Sequence, residues 1–262
     1  MKEKMLYKTL AVAVILLFIG LGVQPAFAEV SFKSDNSELI EVTIKICRPC
    51  KIEEYTLLLT QEQVEKLDNE FDDFKIKLDN ALTKSETIDV YNDMLVSLDR
   101  LGMIPDYISV YEAQQLVTGR NYLISDNELP SKLFENSNFL CLISGEVSSN
   151  FGFLLSKWAF FYYIPFRIGG MMYFGTYYKT FQGGSYYYQN SNGWVKTVGL
   201  LGKKEWISKF RGAIFDFPID IWFPDYLKMG CFGIVGFTGF AIETTWDVYF
   251  IGFAPWVKIK NV

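Results

Sequence analysis

The most reactive side chains that lie close together in this sequence are two thiols, in the motif Cys47-Arg48-Pro49-Cys50. A CxxC pair is a redox centre when its first thiol lies at a helix N-terminus, because the helix dipole lowers the thiol pKa. Here the motif lies between two predicted strands, and the first predicted helix begins only at Thr60. We expect either a small disulfide between Cys47 and Cys50 or two free thiols, whose pKa should lie nearer the unperturbed ~8.5 than the lowered values of redox enzymes.

A second candidate is the acidic and aromatic segment that contains Asp216, Asp220 and Asp225. Two carboxylates separated by about 5 to 9.5 Å can hydrolyse a glycosidic bond. Two prolines in the same segment, Pro218 and Pro224, are instead typical of a solvated turn. A glycosidase-like hydrolase and a CxxC oxidoreductase are therefore kept only as alternatives.

Tyrosine and tryptophan side chains combine an apolar ring with a polar tip, and several of them lie in the second half of the chain. They predict either a surface that stacks on sugars or lipid, or simple filling of the core. The candidates for a binding surface are Tyr186, Tyr187, Tyr188, Trp194, Trp206 and Trp222.

The 262 residues include no histidine. This excludes triads and Cys-His dyads that use an imidazole, and every zinc site with a histidine ligand. No phosphate-binding loop, dinucleotide-binding glycine motif or calcium loop is present. We therefore expect a protein that is not an enzyme and that needs no metal or cofactor.

The first 28 residues have the pattern of an export signal. Lys2, Lys4 and Lys8 precede an apolar run over residues 9–22, and small residues lead to a cleavage site after Ala28. The alternative is an uncleaved membrane anchor, for which the run is short. We expect an extracellular or cell-surface protein, so the basic residues near Arg211 do not indicate a nucleic acid partner.

The remaining chain divides into two parts of opposite charge. Residues 29–137 carry 11 basic and 22 acidic side chains, whereas residues 138–262 carry 11 basic and 7 acidic ones. We expect a domain over residues 29–124, a linker over 125–137 and a second domain over 138–262. The opposite charges and a large apolar surface predict that the two parts dock against each other.

The first part has the pattern of a β-hairpin followed by three helices. Residues 40–46 alternate between apolar and polar side chains, and a second short strand is predicted at 55–59. Three Ser/Thr-x-x-Glu/Gln capping boxes then predict three helix starts. They are Thr60 with Gln63, Thr83 with Glu86, and Ser109 with Glu112.

From Asn138 onward the sequence is rich in aromatic, β-branched and glycine residues and predicts antiparallel strands. In the segment 231–242 both alternating sets of side chains are apolar. Such a strand is either covered on both faces or faces lipid on one. Cys141 and Cys231 lie in these strands and either pair or act as small buried hydrophobes. We predict an α+β protein with an antiparallel β-sandwich or barrel-like sheet.

Several segments together resemble a set of uncharacterised exported archaeal proteins. They are residues 22–28, 58–63, 116–119, 140–143, 193–200, 236–239 and 250–254. The resemblance implies an exported protein with a hairpin and helical part before a sheet rich in glycine and aromatic residues. It implies no activity.

These observations predict a non-catalytic, secreted or cell-surface binding protein whose partner is a glycan, a protein or a lipid surface. The main alternative is a membrane-associated protein whose C-terminal aromatic sheet contacts or inserts into lipid.

Overall fold

The computed structural model describes residues 39–49, 51–119, 134–154, 170–180, 186–222 and 226–262, which all belong to one compact unit. The predicted signal segment and most of the predicted linker lie outside these residues. The three helices are α1 (Gln61–Asn80), α2 (Lys84–Arg100) and α3 (Val110–Val117). The strands are β1 (Ile40–Arg48), β2 (Lys51–Leu59), β3 (Ser137–Ser148), β4 (Phe151–Leu154), β5 (Gly170–Thr180), β6 (Tyr187–Gln189), β7 (Ser191–Gly199), β8 (Gly202–Gly212), β9 (Phe215–Trp222), β10 (Tyr226–Glu243) and β11 (Asp247–Asn261).

Each helix begins at the capping box that the sequence predicts. The hydroxyl of the first residue accepts a hydrogen bond from the backbone N–H three residues later, and the Glu or Gln there bonds back to the cap. These bonds satisfy N–H groups that have no partner within the helix. The three predicted helix starts are therefore confirmed.

The predicted hairpin is also confirmed. Strands β1 and β2 pair in antiparallel register from Ile40 opposite Leu59 to Arg48 opposite Lys51. The second strand begins at Lys51, four residues earlier than the sequence pattern indicates. Charged side chains at this end, including Glu53 and Glu54, hide the period-2 pattern because both faces of this edge strand are partly exposed.

One antiparallel sheet contains all eleven described strands, in the main order β2-β1-β10-β11-β3-β7-β8. Strands β5 and β9 pair with the first part of β10, and β4 and β6 pair with β5. The hairpin joins this sheet, since β1 pairs with β10 from Thr43 opposite Glu243 to Cys47 opposite Gly239. The sheet thus crosses the boundary that we expected between residues 29–124 and 138–262.

Strand β10 is buried on both faces, as its two apolar sets of side chains predict. Phe240 and Ile242 belong to a core that includes the apolar stripes of the three helices. Phe237 and Ala241 belong to a second core on the opposite side of the strand, which we call the inner core. Protein therefore covers the apolar surface that motivated the lipid alternative.

The expected docking of the helical part on the sheet is confirmed by the shared core. Leu67, Phe71, Phe74 and Leu78 of α1 pack in one cluster with side chains of β1, β10 and β11. Phe71 lies with its ring centroid 4.6 Å from that of Tyr249. Apolar burial at about 25 cal/mol per Å² is the dominant contribution to such a contact.

We predict that Phe71→Ala lowers the free energy of unfolding by about 3–5 kcal/mol, because a fully buried ring is replaced by a cavity. The matched control is Ile76→Ala on the same helix, where the side chain is 58% exposed. It should change stability by less than about 0.5 kcal/mol. Urea unfolding followed by circular dichroism measures both, and equal effects would contradict the shared core.

Candidate functional site

A group of tyrosines lies at the surface where β6 pairs with β5, and we call Tyr177, Tyr186, Tyr187 and Tyr188 the tyrosine patch. Tyr177 and Tyr188 lie opposite each other, with ring centroids 5.1 Å apart. The Tyr186 ring is 5.9 Å from that of Tyr177 and 6.4 Å from that of Tyr188. Tyr186, Tyr187 and Tyr188 are 52%, 65% and 50% exposed, so a ligand can reach them.

The predicted inclusion of Trp194 and Trp206 in this surface is wrong. Both are buried, with 4% and 3% exposure, and they lie in different cores. Their strands β7 and β8 are covered at these positions, so the indoles fill the interior. Trp222 is the last residue of β9, and its side chain lies outside the described part of the chain.

Beside the tyrosine patch is a pocket of about 250 Å³, which we call the arginine pocket. Arg211 of β8 and Lys260 of β11 lie directly opposite each other in the sheet and both line it. The guanidinium carbon of Arg211 is 4.2 Å from the ring centroid of Tyr188. The pocket and the tyrosine patch therefore form one continuous candidate site.

Gly212 allows the strands to meet at this pocket. A Cβ atom at this position would overlap the carbonyl oxygen of Cys231 and the backbone of Phe232 and Gly233. The end of β8 thus approaches the backbone of β10 more closely than any larger residue permits. This contact places Arg211 beside Cys231, and β9 begins only three residues later.

Asp216 is the carboxylate of the arginine pocket. The Tyr177 hydroxyl and the Cys231 thiol both donate hydrogen bonds to it. Burial, with a further contribution from Asp216, raises the pKa of Tyr177 and of Cys231 to about 12. Asp220 lies on the exposed side of β9 opposite Lys228, and Asp225 lies outside the described residues.

The described cysteines are buried free thiols. Cys47, Cys141 and Cys231 carry no disulfide, and burial raises the pKa of all three. Burial raises the pKa of Cys47 to about 12, so it is not lowered as in redox enzymes, in agreement with the prediction, although the sequence pattern gives no sign of the upward shift. Its side chain belongs to the inner core, on the opposite face of β1 from Ile46. Cys50 lies outside the described residues, but the expected disulfide is absent from Cys47.

A second pocket, of about 230 Å³, lies between the end of α1 and strands β7 and β8. Its lysines already have partners. Lys196 forms ion pairs with Asp79 and Glu205, and Lys203 donates to the carbonyl oxygens of Leu78 and Ala81. These contacts satisfy the C-terminal carbonyls of α1 and give this pocket a structural role.

No protein-family model, curated protein or solved structure matches this chain. None of the helices in the described ranges is long and apolar enough to cross a membrane. Among the same residues no group of three or more Cys, Asp or Glu side chains is arranged to hold a metal ion. Any function assigned to this chain therefore depends on the geometry of the candidate site.

Sequence reasoning missed the pairing of Arg211 with Lys260 and the role of Tyr177. Arg211 appears in the sequence only as one of several basic residues near Trp206, and Lys260 is 49 positions away. Their opposition depends on the pairing of β8 with β11, which no local pattern indicates. The three consecutive tyrosines are the local signal for this region, and the structure has them half-exposed at the surface.

A group of carboxylates lies where α1 faces the ends of β3 and β11. Burial raises the pKa of Glu146, and Asp247, Asp72 and Asp68 raise it further, whereas a hydrogen bond from Trp194 lowers it. The Trp194 indole nitrogen lies 3.0 Å from the Glu146 carboxylate. Lys75 is directed at the Trp194 ring, with Nζ 5.3 Å from its centroid.

We predict that Glu146→Gln raises the free energy of unfolding at pH 7. A carboxyl whose pKa is higher in the folded state binds more protons there, so its contribution to stability falls as pH rises above the ordinary value of about 4.3. The glutamine keeps an acceptor for Trp194 without the charge, and its advantage should vanish near pH 4. The control Glu62→Gln should lower stability slightly at pH 7, because Lys66 lowers the pKa of Glu62. Urea unfolding from pH 4 to 8 measures both variants, and a Glu146→Gln advantage that grows toward pH 4 would contradict the prediction.

We also predict that the thiols of a Cys50→Ser variant react very slowly with iodoacetamide at pH 7.5, because buried, protonated thiols are poor nucleophiles. Guanidinium unfolding should make all three reactive within minutes. Mass spectrometry of the alkylated peptides provides the rates. Fast labelling of Cys47 in the native protein at acidic pH would instead support the oxidoreductase alternative.

Proposed function

We propose that this chain is an exported, non-catalytic binding protein that recognises glycans through the tyrosine patch. The observation that carries the proposal is the run of three consecutive, half-exposed tyrosines, Tyr186 to Tyr188, anchored on Tyr177 of the sheet. Export is supported by the signal pattern of residues 1–28 and by the resemblance to exported archaeal proteins.

Tyrosine suits this role because its ring offers a large apolar face and its hydroxyl a hydrogen bond. Only two side-chain torsions are immobilised on binding, so the entropic cost is small. Ring contacts between Tyr177, Tyr186 and Tyr188 restrict these torsions before a ligand arrives. Sugars present both apolar ring faces and hydroxyl groups, which match the two properties of tyrosine.

We further propose that the sheet is barrel-like rather than a sandwich. Strand β8 pairs with β7 along most of its length and with β11 at its end, while β11 pairs with β3 and β3 with β7. These four strands therefore make a closed circuit of pairings. Closure removes the free edges of these four strands and provides a rigid support for the arginine pocket.

The contacts of the reactive groups favour binding over catalysis. Asp216 accepts hydrogen bonds from Tyr177 and Cys231, and the Cys47 thiol is fully buried. Hydrolysis of a glycoside that is lost in Asp216→Asn would overturn the non-catalytic assignment. Protein covers both faces of β10, so this strand does not require contact with lipid.

The test is binding of the 29–262 chain to a glycan array, to peptides and to lipid vesicles, followed by titration of the best ligand. We expect glycans to bind, and Tyr186→Ala or Tyr188→Ala to weaken binding about ten-fold, which corresponds to ~1.4 kcal/mol. The matched control is Tyr111→Ala, because Tyr111 is 68% exposed on α3. It should leave binding unchanged.

Binding to vesicles or peptides without glycan binding would overturn the proposal in favour of the corresponding partner. Equal losses in Tyr111→Ala and Tyr188→Ala would show that the tyrosine patch is not the recognition surface. Thermal melting of each variant checks that the surface substitutions leave the fold intact.

A further inference from the structure

Two positive charges face each other in the arginine pocket. Arg211 and Lys260 are directly opposite residues of the antiparallel pair β8 and β11, and both line the pocket. Like charges in directly opposite positions destabilise a sheet. In the part of the chain that the structure describes, neither cation has an ion pair with a carboxylate.

The Arg211 guanidinium also has an unused hydrogen-bond donor. Its Nε atom is buried and has no partner among the described residues. Buried donors are almost always satisfied in proteins, and an exception points to a bound water, ion or ligand group. The guanidinium also lies over the ring of Tyr188, with its carbon 4.2 Å from the ring centroid.

Asp216 lines the same pocket without an ion pair to either cation among the described residues, so the lining carries two positive charges and one negative charge. Its oxygens accept hydrogen bonds from Tyr177 and Cys231. The pocket of about 250 Å³ is larger than one water molecule, whose share of liquid volume is about 30 Å³. It therefore has space for a small anionic group with some of its water.

We propose that the arginine pocket binds the anionic group, a carboxylate or a sulfate, of an acidic saccharide. The planar guanidinium of Arg211 matches either group with two parallel hydrogen bonds, and Lys260 adds a second charge. Tyr188 lies beside the cations, so a sugar ring that carries the acid can stack on the tyrosine patch. The saccharide part of this inference rests on the proposed glycan function, whereas the anion part stands on the pocket itself.

The experiment is isothermal titration of the 29–262 chain with an oligomer of galacturonic acid, a neutral galactose oligomer of equal length, and sodium sulfate at matched ionic strength. The variants are Arg211→Gln and Lys260→Gln. The matched control is Lys209→Gln, an exposed cation two residues from Arg211 on the same strand. We expect the acidic oligomer to bind at least ten-fold more tightly than the neutral one, and each pocket variant to remove this preference.

The outcomes separate the two proposals. Equal binding of the acidic and neutral oligomers, unchanged in Arg211→Gln, would overturn the anion pocket and leave glycan recognition intact. Sulfate binding that Arg211→Gln abolishes, without binding of either oligomer, would support the anion site and overturn the glycan function. Binding of the acidic oligomer that falls equally in Lys209→Gln would overturn the pocket, because it would indicate attraction to general positive charge.

Thermal stability provides a second readout that a misfolded variant cannot imitate. Without sulfate, Lys260→Gln should melt at the same or a higher temperature than the unsubstituted protein, because the like-charge repulsion is gone. With sulfate, the unsubstituted protein should gain stability and Lys260→Gln should not. A Lys260→Gln protein that sulfate stabilises as much as the unsubstituted one would overturn the role of Lys260.

Discussion

The burial of β10 on both faces is the constraint on which the rest of this structure depends. Between Cys231 and Ile242 this strand has apolar side chains in both alternating positions, apart from Thr238, so neither face of that part can be left in water. The helices cover Phe240 and Ile242, while the inner core covers Phe237 and Ala241. Full burial of each such large side chain contributes about 1.5–3 kcal/mol, so neither layer is dispensable. This requirement explains why the hairpin, the helices and the C-terminal strands form one unit.

The same strand also determines where the candidate site lies. The first part of β10 pairs with β5 and β9, whereas its second part pairs with β1 and β11. At Gly212 the end of β8 comes against the backbone of β10, since that residue has no Cβ to keep them apart. Arg211, Asp216 and Lys260 therefore meet although they come from three different strands. The tyrosine patch joins them through β5, the neighbour of β10.

Features that depend on nearby residues were predictable from the sequence, and those that depend on distant pairing were not. The capping boxes at Thr60, Thr83 and Ser109 and the β1–β2 hairpin are local, and the structure has them where the sequence indicates. The position of β1 beside β10 is set by a contact across about 200 residues, for which the charge and composition of the two halves provide no register. Tryptophan occurs both in cores and in binding sites, so the sequence does not distinguish the two for Trp194 and Trp206, and only their places in the two cores show that both are covered.

The cations of the sheet differ in whether a carboxylate pairs with them. This difference separates cations with a structural role from those of the candidate site. Lys45 of β1 has Glu243 of β10 at 2.5 Å, and Lys196 of β7 has both Asp79 of α1 and Glu205 of β8, so these cations are paired with carboxylates of neighbouring elements. Arg211 and Lys260 lie apart from these ion pairs, although they repel each other and Arg211 retains an unpartnered donor. Evidently this arrangement does not maximise the stability of the free protein, because a carboxylate opposite Arg211 would remove the repulsion. A group of residues that costs stability at an accessible pocket, beside exposed aromatic rings, has the properties expected of a site that is completed by a ligand.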